Sequence, residues 1–294
     1  MKVNIGLIQH KCGDDIKENF NKALNMIENA FKDGANIVST QELFKTRYFC
    51  QVENWDYFDF AEEINEDNET IVELGKLAKG YKGIILASLF EKRAKGVYHN
   101  TLVVIGIDGE INGIYRKMHI PDDPHFYEKF YFRPGDLGYK VFKTPYGSIG
   151  TLICWDQWFP EAARLTAMKG ADIIFYPTAI GWLPEEKEEY GASQVNAWKT
   201  IQQSHAVANG CFIASINRTG FEPSPDGNSG IEFWGQSFVS NTYGEIIKEA
   251  SVDKEEILLV EIDLKEIEET RRIWPFFRDR RIDSYGDLTK VWIV

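Results

Sequence analysis

The sequence predicts an α/β fold in which mixed sheets are covered by helices. Short, nearly continuous apolar runs of strand length alternate with longer segments whose apolar residues recur at helical spacing. Strands that are apolar on both faces need helices laid over them. Turn signals at Asp108-Gly109 and Tyr243-Gly244 join neighbouring runs into hairpins, so the sheets are mixed and not purely parallel.

The elements follow in order. Residues 3–9 form a first apolar strand. Residues 16–32 place Phe20, Leu24, Ile27 and Phe31 on one helical face, with Gly34 as a stop. Residues 35–39 read as a buried strand, 69–79 as a helix and 84–90 as a third strand. Segments 100–107 and 110–116 flank Asp108-Gly109 as a hairpin. Segment 148–154 reads as a strand, 160–169 as a helix opened by Pro160, and 172–177 as another buried strand. A long helix, 193–208, is closed by Gly210, and 211–217 is the next strand. Runs 233–241 and 245–249 form the second hairpin, and 257–262 is the last strand. From about Trp274 the aromatics and the Arg278-Asp279-Arg280-Arg281 run lack helical period, which predicts an extended arm. With no repeat, linker or low-complexity tract, residues 1–294 are expected to form one domain.

Composition narrows the function classes. The 294 residues carry 33 Lys+Arg against 45 Asp+Glu, a net charge of −12. That balance argues against nucleic acid, which needs a basic patch, and is compatible with a cationic small substrate. No apolar run approaches the roughly 20 residues needed to span a bilayer, and the first residues read as a strand and not a signal peptide. Cys12, Cys50, Cys154 and Cys211 are widely dispersed, with no zinc or disulfide spacing; reduced thiols and a cytoplasmic location are expected. His119 and His125 flank two aspartates, but the spacing matches no standard zinc motif, so no metal or other cofactor is expected.

Three apolar runs each deliver an ionisable residue: Glu42, Lys117 and Cys154. In sheets covered by helices, binding crevices open at strand carboxyl ends. A carboxylate, an ammonium and a thiol brought to one such edge offer a base, an electrostatic stabiliser and a nucleophile. By themselves, a cysteine in an apolar run also reads as inert core, and a strand-closing Glu or Lys as a solvated end. The tight strand-to-helix turn before Pro160 favours a reactive Cys154, since a helix N-terminus favours thiolate, and leaves the Trp155 amide free to act as an oxyanion donor.

The segment 150–161, Gly-Thr-Leu-Ile-Cys-Trp-Asp-Gln-Trp-Phe-Pro-Glu, resembles the nucleophile motif of the nitrilase (carbon–nitrogen hydrolase) superfamily. Residues 40–44 resemble its glutamate motif and 115–121 its lysine motif, in the family's order, and the resemblance spans essentially the whole chain. Residues 119–124 and 154–161 resemble the branch that hydrolyses N-carbamoylputrescine. The resemblance implies a four-layer α-β-β-α sandwich, eight-layered on dimerisation, in a homodimer or larger homo-oligomer. It implies Cys154 as nucleophile, Glu42 as general base, Lys117 as oxyanion stabiliser and Glu128 as a second glutamate positioning substrate and lysine. The implied reaction releases putrescine, ammonia and carbon dioxide from a small carbamoyl amine.

For substrate binding, Asp122 and Asp123 are the acidic candidates, and they also read as turn residues before Pro124. Tyr48, Trp155, Phe126 and Trp182 are candidates to line an aliphatic channel. Plant-like members of the branch carry a glutamate where this chain has Leu183; Glu185 and Glu186 follow closely enough to substitute. The alternatives are an N-carbamoyl-amino-acid hydrolase or an ω-amidase, which would offer Arg47, Arg133 or Arg218 to a substrate carboxylate. A non-catalytic interaction module is disfavoured, because all three catalytic residue types are present.

Overall fold

The computed structural model describes residues 1–293. The first half of the chain builds β1 (Lys2–Gln9), α1 (Ile16–Lys32), β2 (Ile37–Thr40), α2 (Glu69–Tyr81), β3 (Ile84–Ala94), β4 (Val97–Ile105), β5 (Ile111–Arg116) and a single helical turn, α3 (Glu128–Tyr131). The second half builds β6 (Lys140–Thr144), β7 (Gly147–Thr151), α4 (Pro160–Met168), β8 (Ile173–Pro177), β9 (Gly181–Trp182), α5 (Lys187–Asn209) and β10 (Phe212–Ile216). Then come β11 (Thr219–Pro223), β12 (Gly230–Trp234), β13 (Phe238–Ser240), β14 (Ile246–Glu249), β15 (Glu256–Asp263) and α6 (Lys265–Ile273).

Two six-stranded sheets result, ordered β15-β1-β2-β3-β4-β5 and β14-β13-β10-β8-β7-β6. Each has a parallel centre, β1-β2-β3 in one and β7-β8-β10 in the other, flanked by antiparallel strands. The parallel centres are wound as β-α-β-α-β, with α1 and α2 crossing one sheet and α4 and α5 the other. Parallel neighbours require such crossovers, which is why the strands read as apolar on both faces.

Side-chain alternation sorts the layers. On β1, Val3, Ile5 and Leu7 enter the core shared with the second sheet, whereas Ile8 joins Ala23, Ile27 and Phe31 of α1. β1 lies against β10 and β2 against β8, so the sheets pack face to face with helices outside, a four-layer sandwich. Truncating one of these buried Leu or Ile side chains to Ala costs about 2–5 kcal/mol, so each face is strongly specified. Gly150 lets α4 seat closely on β7: a Cβ there would fall 2.5 Å from Thr166 Cγ2 and 2.9 Å from Ala171 Cβ. α1 begins where the Asp15 side chain accepts hydrogen bonds from the Lys17 and Glu18 amides.

The structure departs from the sequence expectation at several places. The run expected as one strand over 233–241 is split between β12 and β13, which belong to different sheets. Gly235 and Gln236, at φ +56° and +52°, turn the chain between them. The strand expected over 148–154 ends at Thr151, and Cys154 opens a 3-10 turn, Cys154–Trp158. α5 starts earlier than expected, at Lys187, and β6, β9, β11 and α6 were not anticipated: the strands are short, and α6 is mostly charged, with Ile267 and Ile273 as its aliphatic residues. Beyond Trp274 the described residues form two short 3-10 turns and otherwise irregular chain. Phe277 is gripped between the guanidinium groups of Arg164 and Arg271, each 4.9 Å from its ring, while Ile282, Leu288, Val291 and Trp292 stand exposed. No described helix is long and apolar enough to cross a membrane.

Candidate active site

Three strand ends deliver Glu42, Lys117 and Cys154 to one edge of the sandwich. Glu42 lies just past β2, and its backbone is clamped by Arg218, which follows β10. The buried Arg218 guanidinium donates to the carbonyls of Glu42 and Leu43, both at 3.0 Å, to the Thr46 carbonyl and to Glu222 Oε1. Leu43 is held at φ +49° in this loop. On the side-chain end, Glu42 Oε1 accepts from Lys117 Nζ at 2.8 Å and from Asn100 Nδ2 at 2.7 Å. Glu42 Oε2 has no partner among the described residues and remains available as an acceptor.

Lys117 follows β5 and donates a second hydrogen bond to Glu128 Oε2 at 2.6 Å. Glu128 Oε1 accepts from the Tyr48 hydroxyl at 2.7 Å. Glu42, Lys117 and Glu128 are all fully buried. Burial alone would lower the Lys117 ammonium, but Glu128, Glu42 and Cys154 outweigh it and hold the pKa well above the usual value. Burial pushes the Glu128 carboxyl above the carboxylate range; Lys117 opposes this and Glu42 reinforces it.

Cys154 meets this cluster from the second sheet. It has φ +39°, a left-handed conformation that a non-glycine residue adopts only when its surroundings impose it. Asp156 imposes it. Its fully buried carboxylate accepts from the Ile153 amide (3.0 Å), the His119 amide (3.0 Å) and the Tyr115 hydroxyl (2.7 Å), while His119 Nδ1 lies 2.7 Å from Oδ1. The His119 ring stacks on Phe159, 3.8 Å between centroids. The lysine loop is thereby tied to the cysteine turn. At the thiol, burial works against the thiolate that the helix-end argument favours. Burial pushes its pKa well up and Glu42 adds to that, whereas Lys117 only partly compensates. A carboxylate buried close to the thiol is placed to take its proton as sulfur attacks.

Above Cys154 opens a cavity of about 500 Å³. Trp155, Trp158, Trp234, Phe126, Ile180 and Leu183 give it apolar walls, and Asp123, Glu185 and Glu186 are the carboxylates in its lining, with His125 beside them; among the described residues no lysine or arginine lines it.

Residues 4–272 match the carbon–nitrogen hydrolase family. The chain belongs to that family. It is 46% identical to an N-carbamoylputrescine amidase from Oryza sativa, over 98% of this chain and 94% of that protein. It is 40% identical to a citrullinase from Francisella tularensis, over 98% of each. A solved carbon–nitrogen hydrolase from Helicobacter pylori superposes with a TM-score of 0.95 at 50% identity, covering all of both chains.

Within this carbon–nitrogen hydrolase, the residues expected at the site fall into two groups. Trp155, Asp123 and Glu185 line the cavity with Cys154. Asp122, Tyr48 and Trp182 do not. Asp122 is exposed outside the lining. Tyr48 is buried behind the cavity, supporting Glu128. Trp182 turns away, its Nε1 donating to the Gly191 carbonyl at 3.0 Å and its ring packed on Trp234. The arginines weighed for a substrate carboxylate are also elsewhere: Arg218 is committed to the Glu42 loop, Arg47 pairs with Asp14, and Arg133 lies in a separate surface groove. Asn100, Asp156 and Gln194 went unread, Arg218 was weighed only for a substrate carboxylate and not as the clamp of the Glu42 loop, and Glu186, weighed as a substitute for the missing glutamate, does line the cavity. Of the unread three, Asp156 alone had a signal, its place two residues after Cys154; the others become visible only when distant strands are brought together.

Proposed function

We propose that this carbon–nitrogen hydrolase cleaves the ureido C–N bond of N-carbamoylputrescine. One observation carries the reading: among the described residues, the cavity over Cys154 is lined by three carboxylates and no arginine or lysine. A substrate with a cationic tail is matched by that lining, whereas a carboxylate substrate would enter with no cation to receive it. The rice relative's name agrees. An N-carbamoyl-amino-acid hydrolase or an ω-amidase would need a cation for the substrate carboxylate, and the described lining offers it no arginine or lysine.

Glu42 takes the Cys154 proton as sulfur bonds to the carbamoyl carbon. The carbonyl electrons move onto oxygen, where the Lys117 ammonium and the Trp155 amide meet the charge; losing one such donor typically costs about 2.7–4 kcal/mol of barrier. Collapse of the tetrahedral intermediate breaks the C–N bond, and Glu42 passes its proton to the leaving nitrogen. Glu42 then draws a proton from water as it attacks the thioester, and collapse of this second intermediate breaks the C–S bond and returns that proton to the Cys154 sulfur. The freed carbamic acid loses carbon dioxide, so that one substrate and one water give putrescine, ammonia and carbon dioxide. Glu128, supported by Tyr48, fixes Lys117. No step uses a cofactor.

The chain is further proposed to act as one domain in a cytoplasmic homodimer or larger assembly. Exposed Leu165 and Met168 on α4, with the apolar arm beyond Trp274, favour a partner copy.

The deciding experiment measures ammonia release from N-carbamoylputrescine, N-carbamoyl-β-alanine, citrulline and glutamine in parallel. N-carbamoylputrescine is expected to have the highest kcat/KM. Preference for any of the carboxylate substrates would overturn the reading.

A further inference from the structure

The carbamoyl end of the substrate accounts for Cys154, Glu42 and Lys117, but the receptor for the far end lies among three carboxylates that are not equivalent. Asp123 is exposed, in a tight turn closed by the Phe126 amide on its carbonyl at 2.8 Å. Glu185 is exposed as well, and its Oε2 accepts from Ser229 Oγ at 3.1 Å. Glu186 differs from both. It is half-buried, and its backbone is fixed on each side: its amide donates to the Leu183 carbonyl at 2.9 Å and its carbonyl accepts from the Tyr190 amide at 2.8 Å. Its side chain is oriented by Gln194, two turns along α5, whose Nε2 donates to Glu186 Oε2 at 3.1 Å. Glu186 Oε1 has no partner among the described residues. Gln194, Trp158 and Trp234 line the same cavity.

A partly desolvated carboxylate with one oxygen tied and one free, beside indole faces, is the composition that selects an alkylammonium. Water is reduced, the charge is opposite, and aromatic faces attract cations. Leu183, where a carboxylate was expected, instead supplies apolar wall. We propose that Glu186 is the specificity-determining residue that receives the distal ammonium of the substrate, and that Gln194 is the positioning residue that holds it. This rests on the reading of the protein as a hydrolase of cationic carbamoyl amines. It relocates amine recognition from the strand-end loop to the start of α5.

The test compares N-carbamoylputrescine with N-butylurea, which has the same carbon chain and no ammonium, in the wild type and in Glu186→Gln, Glu185→Gln and Gln194→Leu. Glu186→Gln is expected to raise KM for N-carbamoylputrescine by about 10–100-fold, the loss of one charge-assisted hydrogen bond, and to collapse the preference for it over N-butylurea. Gln194→Leu should do the same to a smaller degree, acting on KM more than kcat, and Glu186→Asp should restore part of the preference. N-butylurea turnover reports that each variant is folded. A preference retained in Glu186→Gln, or lost more strongly in Glu185→Gln, overturns the assignment. A wild type that does not prefer N-carbamoylputrescine over N-butylurea overturns the underlying reading instead.

Discussion

Cys154 combines a left-handed backbone, full burial and a raised thiol pKa, and each has a nameable cause. Holding a non-glycine residue in that region costs on the order of 1–3 kcal/mol, offset here by the hydrogen bonds that Asp156 gathers. The charge arrangement predicts a signed pH effect. Glu42 raises the thiol pKa and Lys117 lowers it. Iodoacetamide labelling of Cys154, followed by mass spectrometry across pH, should therefore shift to lower pH in Glu42→Gln and to higher pH in Lys117→Met. Turnover should meanwhile fall by about 10²–10⁴-fold in Glu42→Gln, because the base is gone although the thiolate forms more easily. The opposite order of labelling shifts would contradict the assigned roles. At this scale the sequence was informative about chemistry and silent about geometry. Glu42, Lys117, Glu128 and Cys154 stood out by type and motif. The committed state of Arg218 and the backing position of Tyr48 depend on contacts 172–176 and 80 residues apart along the chain, which no local pattern encodes.

Among elements, long periodic segments were read well and short polar ones poorly. α1 was legible because Phe20, Leu24, Ile27 and Phe31 repeat on one face and Gly34 stops it, while the Asp15 cap emerged only in the structure. The 233–241 run misled because its apolar residues continue through Gly235 and Gln236, where positive φ values break the strand. α4 follows the cysteine turn and buries Ala162, Ala163, Thr166 and Ala167 while leaving Leu165 and Met168 exposed. If that outer face meets a second copy, sedimentation velocity of the wild type gives a dimer or larger species, and Leu165→Glu with Met168→Glu shifts it toward monomer. A wild-type monomer at micromolar concentration would contradict the oligomer proposal.

For the whole molecule, two sheets of like topology packed face to face bring the ends of β2, β5 and β7 to one edge. The strand–helix alternation showed that helices cover mixed sheets; it did not show that β15 joins β1–β5 while β13 and β14 join β6, β7, β8 and β10, because pairing between distant strands leaves no periodic trace. The net charge of −12 was a weak hint while it was spread over the sequence. It gains meaning where Asp123, Glu185 and Glu186 surround the cavity mouth without a compensating arginine or lysine in the lining. The central claim joins that mouth to the thiol beneath it, and steady-state ammonia release from N-carbamoylputrescine by Cys154→Ala tests it most directly. The account predicts no turnover above background from a variant that retains the wild-type circular dichroism spectrum, whereas hydrolysis near the wild-type rate would contradict it.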